Sequence, residues 1–415
     1  MNDAAIYAPA GSFESLNAAF QAGADAVYFG VGRWNMRAGA AANFTPDDLP
    51  AVASACHEHG AKAVLAVNTI LYDGELAGIR ELCSRAKECG VDACIAGDPA
   101  VLSCLRKTGM SAHITVQCNI SNLEAVRFYA PYADVMVLAR ELSLDQIRRI
   151  TEGIREQDIR GPSGELVRIE VFVHGACCIA LSGRCGMSLY AGGRSSNRGE
   201  CLQNCRRRYV VRDAETGVEM EIDNEFVMSP KDICTIGFLD RILESGVSVL
   251  KIEGRGRPAD YVRETVSVYR EARDCIRAGT YGPEKIAGWK KRLASVFNRG
   301  FWEGGWYLGE FRDMWSGRGG SQATRTKEYV GRVTNWYSNL SVACVRMDTG
   351  VLREGDRLLV TGPSTGACEL CAEGLRVDDR AVEEARRGME VTFRSPVRLR
   401  TGDQVQILKD KVTNS

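Results

Sequence analysis

Residues 174–185 read HGACCIALSGRC, and Cys201, Cys205 and Cys234 follow within the next fifty positions. Thiolates are soft ligands that suit zinc or an iron–sulfur cluster. Structural zinc sites use tight CxxC pairs. Here the intervals are seven from Cys178 to Cys185, sixteen to Cys201 and thirty-three to Cys234. That spacing departs from the zinc pattern and leaves both metals open. The stretch is also the most basic of the chain: between His174 and Arg212 it carries Arg184, Arg194, Arg198, Arg206, Arg207, Arg208 and Arg212 against Glu200 alone, seven minus one, or +6. A solvated arginine face is one reading; an anionic substrate or an RNA backbone is the other.

Hydrolytic chemistry fits the residues less well. A zinc protease needs two histidines one helical turn apart with a glutamate between them, and HEHG at 57–60 puts His57 and His59 on different helix faces. The G-x-S-x-G match GPSTG at 362–366 falls among the short turn-separated strands near the C-terminus, not at the strand-to-helix turn that a nucleophile elbow needs. A cysteine protease built on His174 and Cys178 is formally available, but it leaves four neighbouring thiols without a role.

The elements that must position these residues read as repeated βα units. Strand-like runs occur at 6–10, 26–31, 62–68, 93–98, 113–117, 134–140, 169–175 and 249–255, with helical patterns such as ESLNAAFQAG and SLDQIRRITEGIRE between them. Eight strands and eight helices predict an α/β (β/α)8 barrel of the TIM type over residues 1–280. Barrels of this kind carry chemistry on the loops after the strand C-termini. Those ends are polar here: Asn68, Asp98, Gln117, Asn119, Arg140, Glu141, His174, Glu253 and Arg255. Asp98, before Pro99, reads as a helix cap. The thiol-rich segment 176–236 is an insertion after strand seven, at the same face. Residues 281–326 form a connecting helix and a glycine- and tryptophan-rich loop. From 327 to 412 short strands with Gly-Asp turns predict a small antiparallel β-barrel, whose Cys368 and Cys371 read as structural.

Composition sets the frame. The chain has 415 residues, 45% apolar and 26% charged, enough for one large domain and a smaller one. Lys plus Arg equals Asp plus Glu at 53 each, so no overall basic field captures nucleic acid. The N-terminus has an acid at Asp3 and no basic start, and no apolar run approaches a membrane span. These features predict a cytoplasmic protein in which sixteen cysteines are not a disulfide framework. Cys56, Cys83, Cys104, Cys275 and Cys344 read as small core hydrophobes.

EVFVHGACCIALSGRCGMSLYAGGRSSNRGECLQNCRRRY, followed by SPKDICTI and LKIEGR, resembles the collagenase-like peptidase U-32 family, as do APAGS, GADAVYFGV, LARELS and the terminal small barrel. The resemblance implies an O2-independent hydroxylase of RNA, with the wobble uridine of tRNA as target and prephenate as the oxygen donor. It implies a four-iron four-sulfur (4Fe-4S) cluster on Cys178, Cys185, Cys201 and Cys234, with Cys177 as an extra thiol and Cys205 as an alternative to Cys201. Arg140 and Arg255 would hold the donor's carboxylates bidentately. Glu253 stands beside them as a site residue, and His174 would move a proton or orient the donor. Arg194, Arg198, Arg206, Arg207, Arg208 and the C-terminal barrel would hold the RNA backbone. A 23S rRNA base hydroxylase, a peptidase and a non-catalytic RNA-binding cluster protein are the alternatives.

Overall fold

The eight apolar runs each contain a strand, and helices with a side-chain N-cap follow four of them. The structure, a computed structural model, describes residues 4–39, 41–220, 226–310 and 313–411. Asp3, residues 221–225 of the insertion and residue 412 lie outside the described residues. Strands β1 (Ala5–Ala10), β2 (Ala26–Gly30), β3 (Lys62–Val67), β4 (Ala93–Ala96), β5 (Ser111–Ile114), β6 (Val135–Val137) and β7 (Arg168–Ala176) run parallel in sequence order. The closing strand Val249–Ile252 pairs parallel with both β7 and β1, in register Lys251↔Phe172 and Lys251↔Tyr7. The barrel is therefore closed, with no free edge among these eight strands. Helix entries are fixed by side chains that accept from orphan backbone N–H groups. Ser12 accepts from Ser15 and Asp98 from Ala100, ahead of Pro99.

Between strands and helices lies a large apolar core. Inside the barrel an apolar layer of Tyr7, Tyr28, Val64, Ile95, Val135 and Val249 is crossed by charge. The Lys251 ammonium donates to Glu170 Oε1 at 2.6 Å, His113 Nδ1 lies 3.9 Å from Glu170 Oε2, and Tyr7 stacks on His113 at 5.8 Å.

Past the barrel rim β7 continues, and Cys234↔His174, Ile233↔Gly175 and Asp232↔Ala176 pair antiparallel. The strand Phe301–Glu303 adds to the outer side of Asp232–Cys234. The segment expected to be a connector is therefore part of the barrel's sheet. Its helix Pro283–Ser295 is pinned to the last barrel helix, Ala259–Arg277, by Trp289 on Glu271 and Arg292 on Glu264. The insertion leaves and rejoins the fold on adjacent strands and is tied down over the barrel mouth. Ile70 N donates to Asn197 O, Gly39 N to Gly199 O, and Arg184 Nε to Gln117 O, each at 3.1 Å.

The C-terminal region is an eight-stranded antiparallel sheet with a two-stranded companion and its own core around Val333, Val345, Leu358, Val391 and Phe393. Its edge strand Gly366–Cys371 docks on helix α1 (Phe13–Gln21), where Gln21 Nε2 donates to Thr365 O at 2.7 Å and Asn17 Nδ2 to Pro363 O at 2.6 Å. Cys368 and Cys371 lie three apart on that strand and face opposite sides. Cys56, Cys83 and Cys344 are buried; Cys104 and Cys275 are half-buried. Among the described residues no helix is long and apolar enough to cross a membrane.

Candidate functional site at the barrel mouth

The closing strand and its extension read KIEGR, so Lys251, Glu253 and Arg255 alternate toward one side. All three line a cavity of about 110 Å³ at the C-terminal mouth, together with Arg37, Arg140 and Phe172. Glu253 Oε1 accepts from Arg37 Nη2 at 2.6 Å and from Nε at 3.1 Å, and the Tyr28 hydroxyl lies 3.4 Å from Oε2. Burial alone would raise the Glu253 carboxyl. The Arg37 guanidinium and its hydrogen bonds, with the charges of Arg255 and Arg140, outweigh burial and hold it at about 2. Arg37 is thus neutralised by Glu253 and Lys251 by Glu170. Arg255 donates only to the neutral Asn35 amide, at 2.8 Å. Burial pulls it down to about 10, which leaves it charged at neutral pH. Arg140 stacks over Phe172 at 4.8 Å, and its Nε is buried without a hydrogen-bond partner. Among the described residues neither Arg140 nor Arg255 has a carboxylate at ion-pair distance, although both charges act on Glu253, and these two cations make the cavity an anion site.

The roof of that cavity is the insertion. Cys178, Cys185, Cys201 and Cys205 all line it. The four thiols are mutual neighbours: burial pushes the Cys205 thiol up, Arg206 pulls it down, and Cys178, Cys201 and Cys185 add to the rise. Cys178 and Cys201 also lie near enough to Arg37 to raise it. Among the described residues no group of three or more His, Cys, Asp or Glu side chains is placed to hold a single metal ion. A cluster makes a different demand, since each thiolate binds its own iron and the four stand further apart. Four soft donors around one cavity fit that demand.

The expected site residues fall in different places in the structure. Cys234 does not reach the cavity: its strand pairs with β7, its side chain is 1% exposed, and burial pushes the thiol up to about 12 beside Tyr269. Cys205, the expected alternative to Cys201, lines the cavity together with Cys201. Cys177, the extra thiol, is buried below Arg140 and Asp232. His174 also misses the cavity. Period-two alternation from Glu170 and Phe172 would point it inward, but the register shifts between Lys251↔Phe172 and Ile252↔His174. That bulge turns the ring onto Tyr269, Tyr261 and Phe301. There burial, helped by Arg257, lowers it to about 3, so it is neutral. Among the arginines, Arg206 is turned inward, donating to Ser229 Oγ at 3.0 Å, Cys177 O at 2.6 Å and Pro230 O. Arg198 pairs with Glu75 at 2.7 Å and lies over Tyr72. These two staple the insertion, whereas Arg194, Arg207 and Arg208 are exposed. Arg140, Glu253 and Arg255 line the cavity as expected. Arg37, Tyr28 and Lys251 went unread. For Lys251 and Tyr28 the signal was available, as polar atoms inside barrel strands; for Arg37, on an irregular loop, it was not.

Fold and site define a TIM-type barrel with a thiol-roofed, positively charged mouth. Residues 11–316 match the model of Peptidase family U32, and the chain belongs to that family. It is 45% identical over 405 residues to a protein named collagenase from Porphyromonas gingivalis, covering 98% of each chain. It is 32% identical over 373 residues to tRNA hydroxylation protein P1 of Bacillus subtilis, covering 86% of this chain and 83% of that one. It is 35% identical over 255 residues to a 23S rRNA 5-hydroxycytidine synthase of Escherichia coli, covering 61% and 37%.

Proposed function

We propose that this protein is an O2-independent RNA hydroxylase that forms 5-hydroxyuridine at the tRNA wobble position, with prephenate as oxygen donor and a four-iron four-sulfur cluster as cofactor. The observation that carries the reading is one cavity in which four thiols face Arg140 and Arg255, two cations without carboxylate partners. Similarity to the tRNA hydroxylation protein extends over most of both chains, whereas the rRNA enzyme is matched over 37% of its length, which favours tRNA.

Cys178, Cys185, Cys201 and Cys205 would hold the cluster, which when bound supplies iron and electrons at the roof. Arg140 and Arg255 bind the donor's two carboxylates. Glu253 keeps its charge throughout the working pH range and fixes Arg37 beneath Cys178 and Cys201, so Arg37 is held for positioning rather than spent on the donor. Phe172 and Tyr28 give the cavity apolar walls that strengthen these charge contacts. Arg194, Arg207 and Arg208, exposed on the insertion, hold phosphates of the RNA, and the site of action is the cytoplasm.

The relative named collagenase favours a peptidase as a second reading. The geometry speaks against a cysteine–histidine pair: Cys178 faces the cavity, His174 faces the helix behind it, and no histidine lines the cavity.

Mass spectrometry of tRNA nucleosides from a deletion strain, complemented with and without a working prephenate pathway, tests the proposal. We expect 5-hydroxyuridine-type nucleosides to return only where prephenate is made. Equal restoration in both backgrounds rules out the donor. No restoration in tRNA together with a missing rRNA hydroxylation moves the substrate to rRNA, and cleavage of collagen peptides by cluster-loaded protein favours the peptidase.

A further inference from the structure

The opposite end of the barrel, where the strands begin, holds a second cavity of about 810 Å³. In barrels of this type the lower face serves stability and is packed. A volume within the range of small-molecule sites, walled by charged side chains, is unexpected there. Its floor is built and incompletely satisfied. His113 is 2% exposed, lines the cavity, and has a buried Nδ1 with no hydrogen-bond partner. Below it Glu170 Oε2, fully buried, also has none. Tyr7, 2% exposed, lies stacked against the same imidazole. The two unpaired atoms lie 3.9 Å from each other, beneath the ring that the cavity meets.

The wall charges decide what that ligand is. Asp134 accepts from Ser163 N, Ser163 Oγ and Ser111 Oγ, and Asp92 accepts from Ala63 N and contacts His57, so both carboxylates are engaged. Arg160 is held by Asp158 and Gly164 O. Lys62 and Arg168 line the cavity; burial, then the charge of Lys251, with Arg168 and Lys62 adding to it, keep the His113 imidazole neutral. With Arg155 and Glu165 the lining carries four cations, Lys62, Arg155, Arg160 and Arg168, against three carboxylates, Asp92, Asp134 and Glu165, an excess of one cation next to a neutral ring and a phenol that can donate.

We propose that the lower mouth of the barrel is a second ligand site, for a small oxyanion such as a carboxylate or a phosphate ester, with its charge on Arg168 and Lys62 and its polar end on Tyr7 and His113. The site is independent of the hydroxylase reading and needs no cluster.

Histidine NMR of the full-length protein tests it, because the chain has four histidines and His113 is the one lining this cavity. Protein labelled with 15N-histidine is titrated with inorganic phosphate and, separately, with malonate. The His113 signals should shift saturably with a midpoint of about 1 mM or below. Arg168→Ala, at a half-exposed position, should weaken the midpoint at least tenfold, while Arg140→Ala, in the other cavity, leaves it in place. Saturation by malonate alone assigns a carboxylate ligand, and by phosphate alone a phosphate ester. His113 signals that stay fixed well beyond that concentration, or a midpoint unchanged in Arg168→Ala, overturn the site.

Discussion

Cys205 and Cys234 have the same side chain and opposite surroundings. Cys205 shares a cavity with three other thiols, while Cys234 is sealed in a strand against Tyr269. Thiol spacing could not separate them, because what removes Cys234 from the mouth is the pairing of its strand with β7, a contact across 60 residues of chain from His174 to Cys234. The arginines were misread for a related reason. A basic run shows that cations are present, not that Arg206 is used up on the carbonyls of Cys177 and Pro230. The prediction at this scale concerns iron. Anaerobically purified protein should hold about four irons per chain. Cys178→Ala, Cys185→Ala, Cys201→Ala and Cys205→Ala should each lose most of the iron and the brown colour, and Cys177→Ala and Cys234→Ala should keep both. Iron analysis that shows loss in Cys234→Ala with retention in Cys205→Ala would reverse the assignment.

The strands were legible because short apolar runs alternate with amphipathic helices, and that pattern survives folding. What the pattern could not carry is a single inserted residue. The bulge between Phe172 and His174 reverses the facing of everything after it and moves His174 from the expected cavity into an aromatic shell. Gly175 follows with φ +106°, and a Cβ placed there would fall 2.4 Å from Glu253 O, so that the turn leaves no room for a side chain. This element has a pH signature. His174 is lowered to about 3 in the folded chain, against about 6.5 when unfolded. A group with a depressed folded value stabilises fully above its unfolded value, and that contribution is lost as pH falls from 6.5 toward 3. The loss reaches roughly 5 kcal/mol at its limit. His174→Phe, which keeps the ring packing, should therefore flatten the acid limb of stability between those values without altering iron content. Denaturant unfolding across that pH range checks it, and an unchanged acid limb would mean that the ring is not sealed from water.

At the scale of the molecule, the closed barrel, the insertion over its mouth and the C-terminal antiparallel region were all readable from the order of patterns along the chain. The connector was not, since the strand Phe301–Glu303 gains its place only by pairing with Asp232–Cys234. The same holds for the polar column of His113, Glu170 and Lys251, whose members lie on three strands distant in sequence. The assembled molecule has a cationic, thiol-roofed upper cavity and a separate lower one, and the central claim is that the upper one transfers oxygen to RNA from an organic donor. The most direct measurement is isotopic. Cluster-loaded protein is incubated anaerobically with unmodified tRNA and prephenate bearing 18O in its ring hydroxyl, and the hydroxylated nucleoside is weighed by mass spectrometry. The account predicts 5-hydroxyuridine that carries the heavy oxygen, with product formation reduced at least about tenfold in Arg140→Ala through weaker donor binding. Hydroxylated product bearing only oxygen from the water, or none at all from protein with a full complement of iron, would contradict it.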